Sequence, residues 1–173
     1  MNGKKLFEGE FSNGLKDGPG KCHYVNGKLQ YDGRFKEDMF QGYGKKYDSA
    51  GILECNGYFL KNEKYFKGVK YDENGNLMYK GENAHGRAHG QGVFFYDNGS
   101  VQYEGFWSNG KYHGYGTLNH RNGNRKYVGH FESSCYNGFG EKFDYCGSFL
   151  CKALWKEDKI ECLVHTEDQY QAG

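Results

Sequence analysis

The stretch YEGFWSNGKYHGYG, residues 103–116, places glycine at 105, 110, 114 and 116 with rings between them. It is either a flexible low-complexity segment or one copy of something repeated. Aligned on Tyr103, similar starts appear at Phe7, Tyr31, Cys55, Tyr79 and Tyr127, each 24 residues from the next. A fixed period of this length is the signature of a repeat protein. With columns numbered 1 to 24 from these starts, columns 3 and 14 are glycine in all six repeats, and column 21 is glycine throughout. Column 12 is glycine in every repeat except the third, which has Phe66, and column 8 is glycine at Gly14, Gly86 and Gly110. Of the 28 glycines only Gly173 lies outside this register. A flexible linker has no reason to keep one.

Rings keep register too. Column 5 reads Phe11, Phe35, Phe59, Asn83, Trp107, Phe131, and column 1 is Tyr or Phe except at Cys55. Columns 1 to 6 alternate ring and polar, a period of two that predicts a strand. Asn13-Gly14 and Asn109-Gly110 in columns 7 and 8 suit a hairpin turn. Columns 12 to 18 supply a second strand, and Asn98-Gly99 or Asn122-Gly123 the next turn. The expectation is an all-β, single-layer antiparallel meander of about six hairpins over residues 1–147. Past Gly147 the pattern decays: Ala153, Cys162 and Val164 stand where glycines are due, and residues 148–173 read as a C-terminal cap. Folding each hairpin so that column 3 faces column 14 sets column 1 against column 16 and column 5 against column 12. The glycines then leave slots under the rings. The opposite face collects Tyr43, Tyr115 and Phe139 from column 13, and Tyr47, Tyr71 and Phe95 from column 17, as candidate partner-binding residues. The competing reading is that these rings are covered by long Lys and Glu stems.

Composition narrows the function. With 36% apolar but 18% aromatic residues, the chain is neither a conventional large-core protein nor a disordered one. A net charge of +1 supplies no field for nucleic acid, so the rings of Phe106, Trp107 and Tyr112 lack the positive groove that base stacking needs. No apolar stretch resembles a leader or a membrane span, and six cysteines without a leader give a cytoplasmic expectation.

No constellation points to catalysis or to a cofactor. His85, His89 and His113 fall in or beside hairpin turns rather than on a helix. Cys146, Cys151, Cys162 and His165 form a set that zinc accepts, but no paired CxxC accompanies them, and Cys151 and Cys55 fall on the ring column. The GYG and GQG triplets lack the Lys and the following helix of a phosphate loop.

YEGFWSNGKYHGYG resembles the MORN repeat, whose pattern is Tyr-x-Gly-x-aromatic-x-x-Gly-x-x-x-Gly-x-Gly, at Tyr103, Gly105, Trp107, Gly110, Gly114 and Gly116. FEGEFSNGLKDGPG (7–20) matches nearly as well. The links NGKLQYDG (26–33) and NGNLMYKG (74–81) are similar to a variant common in bacterial, in part antitoxin-like, proteins. Cys55, Asn62, Phe66 and Asn83 depart from the pattern and set repeats 3 and 4 apart. The resemblance implies a non-catalytic scaffold that binds a helical or extended protein segment. Lipid or membrane-surface binding, and a homo-oligomeric spacer, are the alternatives it leaves open.

Overall fold

The computed structural model describes residues 5–62 and 65–166. They form strands β1 (Phe7–Ser12), β2 (Leu15–His23), β3 (Leu29–Lys36), β4 (Met39–Tyr47), β5 (Leu53–Leu60), β6 (Tyr65–Tyr71) and β7 (Leu77–Ala84). There follow β8 (Arg87–Phe95), β9 (Val101–Ser108), β10 (Lys111–Asn119), β11 (Arg125–Glu132), β12 (Cys135–Phe143), β13 (Phe149–Lys156) and β14 (Lys159–Thr166). The fold is an all-β antiparallel meander, with no helix among the described residues. The chain divides into an N-terminal unit, residues 1–87, and a C-terminal unit, residues 88–173. In each, consecutive strands are hydrogen-bonded neighbours.

Both kinds of turn follow from local chemistry. The hairpin tips take positive φ at two successive residues, as at Asn109 (52°) and Gly110 (80°), the geometry that matches strand twist. Glu37-Asp38, Ser133-Ser134 and Glu157-Asp158 adopt the same pair of positive angles without glycine. Between repeats, Asp48 Oδ1 accepts the N–H groups of Ala50 and Ile52, both at 2.8 Å, and Asp72 does the same for Asn74 and Asn76.

The register agrees with expectation at two positions and corrects it at a third. Gly9 faces Gly20 and Phe7 faces Cys22, so columns 3 and 14, and 1 and 16, are opposed. Column 5, however, does not face column 12 within its hairpin. Phe11 lies opposite Lys16, Phe35 opposite Phe40, and Phe131 opposite Tyr136, each after a bulge in the second strand. The column 12 glycine sits in that bulge with positive φ: 73° at Gly42, 62° at Gly114, 98° at Gly138. A Cβ on Gly114 or Gly138 would meet Phe106 or His130 of column 4, not the rings of columns 1 and 5. This glycine therefore supplies backbone freedom rather than a slot. It pairs instead with column 5 of the following repeat, as Gly114 with Phe131 and Gly138 with Trp155.

The bulge brings an unexpected column into the core. Phe40, Tyr112 and Tyr136 of column 10 stack on Tyr31, Tyr103 and Tyr127 with centroids 3.9, 3.8 and 3.8 Å apart. Column 5 rings close the cluster edge-on from both sides: Tyr103 meets Trp107 at 5.1 Å and Phe131 at 5.3 Å. The column 1 rings Phe7, Tyr31, Tyr103 and Tyr127 each lie over two glycines. A Cβ at Gly116 would stand 2.4 Å from the Tyr103 hydroxyl oxygen, and one at Gly105 2.6 Å from it. Where column 1 is tyrosine, its hydroxyl donates to the column 4 carbonyl, Tyr103 to Phe106 at 2.9 Å and Tyr79 to Glu82 at 2.6 Å, so the buried phenol keeps a partner.

A second recurring bond ties each hairpin tip to the repeat before it. The N–H of Ser134 donates to the Tyr112 carbonyl, and Ser134 Oγ accepts the Tyr112 N–H at 3.0 Å. Asp38 treats Lys16 in the same way, Asn62 treats Phe40, and Asp158 treats Tyr136. The outward-facing N–H and C=O of column 10, next to the bulge, are thus paired.

The segment read as a cap contains a seventh hairpin, whose column 5 ring packs as in the earlier repeats but whose Ala153 of column 3 faces Leu163 of column 13 after a register shift. Trp155 packs edge-on against Tyr127 and Tyr136 and donates Nε1–H to the Gly140 carbonyl at 3.2 Å. Trp107 donates likewise to Gly92 at 3.0 Å. Ala153 and Val164 stand where earlier repeats have glycine, and Cys151 in column 1 brings no ring over them.

Candidate interaction surface

The face carrying columns 1, 5 and 10 is occupied by its own rings. The functional candidates lie on the other face, where column 13 is cross-strand from column 4 and column 15 from column 2. In the N-terminal unit Tyr43 is exposed and its ring meets Tyr58 at 5.5 Å. Tyr47 and Tyr71 are half-buried opposite Leu53 and Leu77. Salt bridges Lys21–Asp32 and Lys67–Glu82, each 3.3 Å, occupy the same face on the strands to either side.

In the C-terminal unit the same face is more apolar. Phe106, Tyr115 and Phe139 are 46%, 55% and 58% exposed. They stand on successive positions of one cross-strand row: Phe106 opposite Gln91, Tyr115 opposite His130, Phe139 opposite Leu154. Beside the row, Thr117 faces Val128, and the Phe143 and Phe149 rings meet at 5.9 Å. Phe95 is half-buried opposite Val101. Two shallow concavities border the row. One is lined by His113, His130, Glu132, Asn137 and Phe139. The other has Arg125, Glu141, Lys152 and His165 around the two phenylalanines.

Column 13 candidates are therefore open and column 17 candidates partly covered. Tyr58 and Phe106 of column 4 belong to the surface and were missed, because column 4 varies from Glu10 to Arg34 to Phe106 along the chain. Their cross-strand position relative to column 13 is the signal that finds them.

The remaining groups have structural settings. Burial pushes the Tyr79 and Tyr136 phenols up to about 12 and those of Tyr31, Tyr103 and Tyr127 further, so all are neutral donors at ordinary pH. Cys151 is buried on the ring face, whereas Cys146, Cys162 and His165 are exposed. Among the described residues no three His, Cys, Asp or Glu side chains are placed to hold a metal ion. His85, at φ 51°, occupies a hairpin turn, and His89 and His113 are exposed. Trp107 is buried and Tyr112 is stacked on Tyr103, so neither presents a free ring face. No helix among the described residues is long and apolar enough to cross a membrane.

No curated protein matches this chain. The MORN repeat family model matches residues 7–28, 31–51, 79–101 and 103–125, just over half of the chain. It passes over residues 55–78, where Cys55 and Phe66 replace the ring and glycine of columns 1 and 12. MORN repeats are non-enzymatic modules that mediate protein or membrane interactions. With this match, this periodicity and this hairpin geometry, the chain belongs to the MORN-repeat family.

Proposed function

We propose that the protein is a non-catalytic interaction scaffold that holds a partner protein segment against the face of columns 4 and 13. The reading is carried by one observation: Phe106, Tyr115 and Phe139 are about half exposed in a row, with no second layer over them. Buried aromatics dominate interface energies, and rings held on a sheet lose little entropy when covered. Neighbouring strands stand about 4.8 Å apart and a helix advances about 5.4 Å per turn, so a helix crossing the strands meets Phe106 on β9 and Tyr115 on β10 about one turn apart and Phe139 on β12 about two turns further on. Tyr43, Tyr47 and Tyr71 of the N-terminal unit and Phe95 of the C-terminal unit extend the candidate set.

The test is affinity purification from the source cell with the wild type and with Tyr115→Ser/Phe139→Ser, followed by direct binding of the captured protein. The double variant is expected to weaken the partner at least about tenfold while keeping its fold, since two hot-spot rings are removed. Unchanged affinity sinks the proposal. Anionic vesicles form the control arm: a contact that floats with vesicles and fades with salt marks a membrane surface instead.

A further inference from the structure

Within each unit, the column 5 rings Phe35, Phe59, Phe131 and Trp155 lie between their own repeat and the ring cluster of the repeat before it. They are accordingly 2–3% exposed. Phe11 is 61% exposed. It meets Phe7 at 5.1 Å, and β1 has only β2 beside it among the described residues. At the other end, β14 has only β13 beside it, and Ile160, Leu163 and Val164 are 48%, 51% and 41% exposed. Edge strands are usually blunted by proline, by a bulge that turns them away or by a covering element. β14 has no proline and nothing among the described residues covers its outer side; its pairing with β13 skips Glu161 and Val164, and those two irregularities leave it an edge with the flanking N–H and C=O groups open.

We propose that two copies of this chain join head to tail, with β14 of one copy paired to β1 of the next. The rule that joins successive repeats fixes the register. Columns 12, 14, 15 and 16 pair with columns 5, 3, 2 and 1 of the following repeat, as Gly138 with Trp155 and Gly140 with Ala153. Extended across the junction, it sets Cys162 against Phe11, Val164 against Gly9, His165 against Glu8 and Thr166 against Phe7. The direction is antiparallel, as at every even-to-odd strand junction described within the units. Phe11 then covers Cys151 and Ile160, the column 1 and column 10 positions that earlier repeats cover with their successor's column 5 ring. Gly14 brings its N–H to the Ile160 carbonyl, as Gly110 does to Ala88 at 2.8 Å. The contact is heterologous, so it propagates from copy to copy, into rings or open chains, rather than stopping at a symmetric pair.

Sedimentation velocity on the 173-residue chain, over a roughly hundredfold concentration range, tests this. The wild type is expected to grow beyond a dimer as concentration rises. Phe11→Asp and Val164→Lys are each expected to stay monomeric, and an equimolar mixture of the two is expected to form one 1:1 dimer through the single intact pair of edges. Both positions are exposed, so circular dichroism should show unchanged folds, and Phe11→Lys with Leu163→Asp repeats the cross with a second pair. A wild type that stays monomeric throughout overturns the proposal. So does a dimer formed by Phe11→Asp alone, which marks a symmetric β14–β14 contact, or variants that fail to pair when mixed.

Discussion

The hairpin β9–β10 and the hairpin β5–β6 occupy the same 24-residue frame and solve it differently. In β9–β10 a two-residue turn, Asn109-Gly110, is followed by a bulge around Gly114, and Tyr112 of column 10 lands opposite Trp107. In β5–β6 the pairing runs without irregularity from Cys55 opposite Lys70 to Leu60 opposite Tyr65, and residue 66 of column 12 lands opposite Phe59. The difference traces to one position. Glycine at column 12 accepts the positive φ that a bulge needs, whereas a bulky residue does not. Repeat 3, with Phe66 there, keeps a regular ladder. An aromatic residue thus occupies the backbone position opposite column 5 in both hairpins, from column 10 in one and column 12 in the other.

The phenols give the broadest way to probe this comparison. Buried phenols raised to about 12 and beyond stay protonated in the fold, while the same groups in the unfolded chain ionise near 10. The unfolded chain therefore sheds protons first. Stability from these groups is complete below about pH 10 and falls as pH rises toward and past 12. Tyrosinate absorbance is expected to appear in two phases, exposed phenols first and the buried set together with loss of β-sheet dichroism. A single phase with the sheet intact would show that the column 1 rings are open to solvent. Repeat 3, with Cys55 in column 1, has no phenol there to contribute.

Next in size is the ring itself. Tyr103→Ala removes a stacked neighbour, two edge contacts and a hydrogen bond, and is expected to cost about 3–5 kcal/mol. Cys55→Ala at the same column is expected to cost roughly 1 kcal/mol, since little more than one small group is lost. Both tryptophans, Trp107 and Trp155, lie in the C-terminal unit, so their fluorescence in a urea titration isolates the first variant's effect. Sheet dichroism reports the second. Equal costs would mean that column 1 plays one role in every repeat, against the geometry.

Two glycines separate the two uses of that residue. Gly116→Ala keeps an ordinary backbone angle but drives a methyl into the Tyr103 ring, 2.4–2.8 Å from its nearest atoms, and is expected to cost about 1–3 kcal/mol. Gly114→Ala meets nothing closer than 3.5 Å and is strained only by its φ of 62°, for about 1–2 kcal/mol. Asparagine tolerates that angle, so Gly114→Asn should recover much of the loss while Gly116→Asn should worsen it. Identical responses at both sites would erase the distinction between slot and bulge.

That distinction is also where the sequence stopped being readable. The period, the strands, the turns and the opposition of Gly9 to Gly20 follow from spacing alone. A glycine column, however, looks the same whether it clears space for Tyr103 or bends the chain at Gly114. Column 10 reads Lys16, Phe40, Lys64, Ala88, Tyr112, Tyr136, so no residue type marks it as core until the bulge turns it inward. The surface row suffered likewise: Tyr115 was visible in its column, but Phe106 is defined by the strand opposite.

The smallest effect tests the bond that lets the bulge persist. Ser134 Oγ accepts the Tyr112 N–H, whereas Gly110, at the same column one repeat earlier, bonds to Ala88 through its backbone alone. Ser134→Ala therefore turns one natural arrangement into the other, and is expected to cost about 0.5–1.5 kcal/mol. The informative readout is local. Hydrogen exchange at the Tyr112 amide should accelerate, because that donor loses its only acceptor in the fold, while the Ser134 amide keeps the Tyr112 carbonyl and its protection. If both amides accelerate together, the tip is held by its turn rather than by the serine, and columns 8 and 10 are not a coupled pair.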